Sequence, residues 1–150
     1  MKSALIDTDV ILDFFFDRKP FSDDAAKILS LCESREIKGF ITSVILSNVY
    51  YLLRQTSTHE KVIEKLLQLV TITEVLSTDR DVIIKALTSS FKDFEDALQN
   101  YSAEMNGKID LIVTRNIKDF KYSTLGVMTP DNYLKTLDIK RKNNGSSKSI

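Results

Sequence analysis

Leu5-Ile6-Asp7-Thr8-Asp9-Val10-Ile11-Leu12-Asp13 is an apolar run ending in an acid, a polar corner fit to cap a helix, and an apolar helical pattern that starts at once. The order is strand, acidic corner, helix. In an open α/β sheet ligands bind in the crevice beyond the carboxyl ends of the strands, so Asp7 stands where chemistry would be done. Asp7 or Thr8 would serve equally well as a plain helix cap. The neighbouring stretches have to decide between the two.

Outward from this corner, Ser3 to Ile6 is the strand, and Asp9 to Asp17 a helix with Val10, Ile11, Phe14 and Phe15 on its apolar face. Asp17-Arg18-Lys19-Pro20 breaks it, and Ser22 is the expected N-cap of a helix through about Ser34. Phe40-Ile41-Thr42 reads as a second strand, with Thr42 and Ser43 at its corner, an apolar helix from Val44 to Arg54 behind it, and Asn48 one turn further on. Thr58 begins a helix through Leu69, Val70 to Leu76 alternates like a strand with Val70, Ile72 and Val75 inward, and Thr78 is the expected cap of a helix through about Thr88. The next helix starts near Asp93 and ends by Gly107; Leu111-Ile112-Val113 suits a parallel strand buried on both faces. A short strand at Gly126 to Met128 leads to Thr129-Pro130, an N-cap and N1 pair opening a helix to Leu137. Alternating strands and helices predict an α/β fold, a three-layer α/β/α sandwich around a mostly parallel sheet of four or five strands.

A chain of 150 residues fits one domain, here residues 1–138, followed by a polar, solvated tail over 139–150. Its 21 basic and 21 acidic residues cancel, which excludes a uniformly basic nucleic-acid coat but not a local basic patch. Cys32 is the only cysteine, so an intramolecular disulfide is impossible; its apolar helical neighbours predict a buried, inert thiol in a reducing compartment. Asp7, Asp9 and Asp13 interrupt the N-terminal apolar run in a way no signal peptide does, and no stretch approaches the ~18 apolar residues of a membrane span. The expected location is the cytoplasm.

Three corners carry polar groups of a related kind: Asp7 and Asp9 after the first strand, Thr42, Ser43 and Asn48 after the second, and Asn116 and Asp119 after Leu111 to Val113. A fourth group, Asp93, Glu95 and Asp96, opens the helix leading into that last strand, where acids favour the helix dipole in any case. Carboxylates that converge without intervening cations repel, and a divalent cation relieves the repulsion; oxygen ligands of this kind suit Mg²⁺ or Mn²⁺. Such a site activates water and stabilises charge on a phosphate in flight. His59, the single histidine, falls in a solvent-facing helix turn, which argues against a Ser-His-Asp or Cys-His mechanism and against a histidine-built zinc site.

Four blocks in order then resemble the PIN domains, in particular the VapC-type toxins of bacterial toxin–antitoxin pairs. They are Leu5 to Asp13, Ile41-Thr42-Ser43-Val44-Ile45-Leu46-Ser47-Asn48, Asp93-Phe94-Glu95-Asp96-Ala97-Leu98, and Ile112-Val113-Thr114-Arg115-Asn116-Ile117-Lys118-Asp119-Phe120. The resemblance implies an α/β/α sandwich and a metal-dependent ribonuclease using Mg²⁺ or Mn²⁺, with Asp7 as the first acidic ligand and Asp96 as the third. The fourth position falls at Asn116 with Asp119 as its acidic neighbour; Thr114 matches the family's hydroxyl near the metal, and Arg115 and Lys118 would meet the RNA. A small antitoxin partner and a homodimer are implied, the apolar helix around Val44 to Leu53 being one candidate for the second subunit's contact. The departure is Asn48, which stands where those toxins usually carry Glu; an amide brings no charge and is no base. Asp9 stands where the family often has Asn, and its charge would partly compensate.

Two further readings compete. Asp7-Thr8-Asp9 preserves the Asp-x-Asp spacing of haloacid-dehalogenase-type phosphatases, in which the first Asp is a covalent nucleophile. A binding module that kept the fold and lost catalysis is the other, and Asn48 is its main support.

Overall fold

The computed structural model describes residues 2–138, so the expected tail over 139–150 lies outside the described residues. Strands β1 (Lys2–Ile6), β2 (Ile37–Thr42), β3 (Glu74–Leu76), β4 (Leu111–Val113) and β5 (Gly126–Met128) form one sheet in the order β3-β2-β1-β4-β5, every pair parallel. Helices α1 (Thr8–Phe15) and α2 (Ser22–Glu33) join β1 to β2, α3 (Ser43–Arg54) and α4 (His59–Ile72) join β2 to β3, and α5 (Arg80–Leu87) and α6 (Phe94–Asn106) carry the chain back across the sheet to β4. A 3₁₀ turn (Ile117–Phe120) precedes β5, and a helix, α7, follows over 130–138. Parallel crossovers are right-handed, so reversing the direction of travel after β3 moves the helices to the opposite face. The result is the α/β/α sandwich expected from the sequence, with α1 to α4 packed on one another and α5 packed on α6.

This topology positions the site. The chain leaves β1 toward β2 on one side and returns to β4 on the other, so the carboxyl ends of β1 and β4 flank the point where strand order reverses. Ala4, Leu5 and Ile6 pair with Leu111, Ile112 and Val113, and all are buried because helices cover both faces. On β2, a Cβ at Gly39 would come within 2.5 Å of Cys32 Sγ, so glycine is what lets α2 lie this close to the sheet. Cys32 is buried, and burial pushes its thiol up to about 11, an inert state.

Several local expectations are corrected. The helix after the first corner is Thr8–Phe15 rather than 9–17, and Asp17 sits beyond it at φ 50°. Ser22 is the first residue of α2, not its cap: the Arg18 carbonyl accepts the N–H groups of Phe21 (2.9 Å) and Ser22 (2.7 Å), so backbone does the capping. Thr78 does not cap α5; Asp79 does, accepting the Val82 N–H at 3.1 Å, while Thr78 Oγ1 pairs with Ser102 Oγ. The strand expected from Val70 starts only at Glu74, because α4 continues through Ile72 and ends with the Thr73 hydroxyl bonded to the Leu69 carbonyl at 2.7 Å. Val75, expected inward, is 46% exposed on this edge strand. On α3, Ile45, Val49 and Leu53 face the protein's own core, with Leu46, Tyr50 and Leu52 packed beside it and Tyr51 exposed.

Candidate metal centre

Asp7 follows directly on β1, and its N–H donates to the Val113 carbonyl at 3.0 Å. Its carboxylate divides two duties: Oδ1 accepts the Thr8 N–H at 2.8 Å and caps α1, while Oδ2 accepts the Thr114 hydroxyl at 2.8 Å. The cap and the cleft residue are thus one carboxylate. Burial, then the charge of Asp9 and more weakly that of Asp119, push it up to about 7 against the hydrogen bonds from Thr114 and Thr8.

Asp96 belongs to the first turn of α6, where Asp93 is the N-cap and accepts the Asp96 N–H at 3.0 Å. It is half-buried. Burial, followed by the charges of Asp7, Asp93, Asp119 and Glu95, raises it to about 7 as well. No cationic side chain figures among the leading causes for either residue. Carboxylates from three separate elements therefore share one field at the switch point.

Around this pair the loop after β4 is tied to α1. Asp9 Oδ2 accepts the Arg115 N–H (3.2 Å) and the Asn116 side-chain amide (3.1 Å), and lies 3.5 Å from the Thr114 hydroxyl; Asp9 Oδ1 is buried without a partner. Burial raises its pKa although the Arg115 charge opposes the shift. Asn116 is accordingly an Asp9 partner, and Asp119, exposed on the 3₁₀ turn, reaches Asp7 and Asp96 through its charge. Lys118 is exposed beside it.

The Arg115 guanidinium is committed inward: Nε and Nη2 donate to Asp13 at 2.6 and 3.1 Å, and the group lies 4.1 Å over the Phe21 ring. Asp13, 1% exposed, also meets Arg18 at 3.6 Å. Sequence reasoning missed Asp13 as a structural anchor; its signal was an acid four residues after Asp9, hence on the same helix face, inside an otherwise apolar stripe. Thr42 caps α3 by accepting the Ile45 N–H at 3.1 Å, and Ser43 is exposed at the start of that helix. Asn48 donates its side-chain amide to Glu95 Oε2 at 2.8 Å, a contact between α3 and α6 that no sequence spacing announced.

Among the described residues no three His, Cys, Asp or Glu side chains are already drawn into one ligand sphere. The donor chemistry nonetheless suits a hard cation: oxygen atoms alone, two carboxylates held near 7 by burial and neighbouring charge, and the orphaned Asp9 Oδ1. Asp7 and Asp96 are the residues that would hold it. Asp9, engaged by Arg115 and Asn116, is poorly placed as the free acid or base of a phosphatase Asp-x-Asp pair.

Solved structures share this architecture. FitAB bound to a DNA fragment, IR36, aligns with a TM-score of 0.66 at 16% identity, covering 85% of this chain and 94% of the other. DNA-bound VapBC from Salmonella typhimurium aligns at 0.63 and 16%, covering 87% and 99%. VapBC2 from Rickettsia felis, bound to a promoter fragment, aligns at 0.62 and 16%, covering 84% and 96%. A comparison with curated proteins gives no match by sequence. At such identities the structural likeness speaks for the fold alone, but the PIN domain profile matches residues 3–118 of the sequence, from the first strand through Lys118. That span takes in every acidic corner except Asp119, and the chain belongs to the PIN domain family.

Proposed function

We propose that this protein is a divalent-metal-dependent endoribonuclease, the toxin of a toxin–antitoxin pair. The observation that carries the reading is the electrostatic coupling of Asp7 and Asp96 at the switch point, where neighbouring carboxylates and no basic side chain lead the charge effects on either. Membership of the PIN family and the likeness to VapBC and FitAB structures support it. Bound Mg²⁺ or Mn²⁺ would supply a Lewis acid and a more acidic water. Asp7 and Asp96 would hold the ion, Thr114 fixes the rotamer of Asp7 through Oδ2, and Asp9 with Asn116 fixes the loop that carries Thr114. Lys118, with Arg115 as a fixed positive charge behind it, would meet the RNA backbone, and Asp119 adds to the field that attracts the cation.

The partner would be a small antitoxin. A groove of about 620 Å³ between α1, α2 and α4, lined by Phe14, Phe15, Leu29 and Leu69 with Lys65 and Glu33 among its polar lining residues, offers an amphipathic segment an apolar seat. Exposed Ile84 and Leu87 on α5 and Phe94 at the start of α6 are the apolar side chains a second copy would cover. No helix among the described residues is long and apolar enough to cross a membrane, and we place the protein in the cytoplasm.

The test is cleavage of an end-labelled, mixed-sequence RNA with Mg²⁺ or Mn²⁺. Cleavage should require metal, stop in EDTA, and fall by at least about a hundredfold in Asp96→Asn, the scale of losing a group that stabilises transition-state charge. Asn48 favours one second reading, a PIN-fold module that binds RNA or protein without cutting. Folded wild type that binds RNA but cleaves with neither metal would establish it over the first.

A further inference from the structure

The helix α3, from Ser43 to Arg54, contains no acid, although the reading above expects one on it. Opposite, α6 opens with one acid more than its cap and the Asp7 pair use: Asp93 caps the helix, Asp96 interacts through its charge with Asp7, and Glu95 has neither duty. Glu95 is not loose, however, because its Oε2 accepts the Asn48 amide at 2.8 Å. An amide donor orients a carboxylate and leaves its charge intact, where a lysine would have neutralised it.

A second feature lies on the inner side of the same helix. Asn100, one turn beyond Asp96, is wholly buried, and neither its Oδ1 nor its Nδ2 has a partner. Asn100 lies four residues after Asp96 and so on the same face of α6, and helical side chains lean toward the N-terminus, where Asp96 stands. Buried polar groups require partners, and the water shell of a cation held by Asp7 and Asp96 would be a source of them for this amide.

We propose that Glu95 supplies from α6 the acid that the family carries on α3, and that Asn48 is its positioning residue. The carboxylate has crossed the cleft while the charge of the site is kept. Glu95 reaches the divalent cation directly or through one water, and Asn48 acts only by holding it there. The proposal rests on the metal-dependent reading of this same site.

Mn²⁺ titrated into the full-length protein at pH 8, followed by loss of the free-ion electron paramagnetic resonance signal, reads affinity without any substrate. Glu95→Gln keeps an acceptor for the Asn48 amide, so its metal-free melting temperature should match wild type while Mn²⁺ affinity falls about tenfold or more. Adding Asn48→Glu to Glu95→Gln returns a carboxylate to α3 and should restore most of that affinity, which no helix-capping role of Glu95 would allow. Asp96→Asn separates the two levels of the argument. Lost affinity there with full affinity in Glu95→Gln, or a Glu95→Gln loss that Asn48→Glu does not repair, overturns this proposal alone. Absent Mn²⁺ binding in wild type, or unchanged binding in Asp96→Asn, overturns the metal centre and this proposal with it.

Discussion

Asp7 and Asp96 both titrate near 7 when folded, against 3.8 as the ordinary aspartate value, and burial leads the causes in each. An acid with a raised folded pKa keeps its proton longer in the native state, so the native state binds more protons than the unfolded chain between about pH 4 and 7. Stability therefore falls as pH rises through that window. Asp9, also raised, acts in the same direction, while the lowered Asp17 and Asp131 lose their stabilisation below the ordinary carboxylate range, outside it. Metal-free protein in chelator should melt lower at pH 8 than at pH 5, by on the order of 5 °C for a domain of this size. Asp96→Asn should flatten that slope, and saturating Mn²⁺ should lift the pH 8 value of wild type. A melting temperature that climbs from pH 5 to 8 in chelator would contradict the uncompensated pair. Asp7 was legible in the sequence because a lone acid ended an apolar run; that it caps and faces the cleft at once was not, because its two oxygens take partners from opposite ends of the chain, Thr8 and Thr114.

Elements were legible where one pattern dominated. Leu111 to Val113 is too apolar and too short for anything but a buried strand, and Gly107 at φ 78° ends α6 as a left-handed C′ residue should. The α4 to β3 junction failed because Val70, Ile72 and Val75 fit a period of 2 as well as a helix end, and helix hydrogen bonding carried the segment through Ile72. Caps at Ser22 and Thr78 failed for a different reason: good capping residues stood next to other groups that did the job first, the Arg18 carbonyl and Asp79. The seam between α2 and β2 carries a direct test. A methyl at Gly39 must displace Cys32 Sγ, so Gly39→Ala should lower unfolding free energy by roughly 1–3 kcal/mol, and Cys32→Ala in the same chain should recover part of it. Denaturant unfolding of the single and double variants measures both; equal stability of Gly39→Ala and wild type would mean the seam has slack.

Across the whole molecule, alternation of strands and helices implies a parallel sheet covered on both faces, which is why the fold class could be read from sequence, while the strand order with its reversal at β1 and β4 comes from the structure. The contacts that finish the site could not, since Asp13 with Arg115 and Asn48 with Glu95 join residues about 100 and about 50 positions apart, beyond any local pattern. The same separation sets a schedule for biosynthesis. Thr114, whose hydroxyl fixes Asp7, is made 107 positions after it. At ~5–20 residues per second a ribosome needs about 5–20 s between them. A chain cut after Asn106 lacks β4, the inner neighbour of β1, and should neither unfold cooperatively nor bind Mn²⁺; a cooperative melt from it would refute this. That interval is a built-in delay: until Thr114 has been made and brought back beside β1, Asp7 lacks the hydroxyl that fixes its carboxylate.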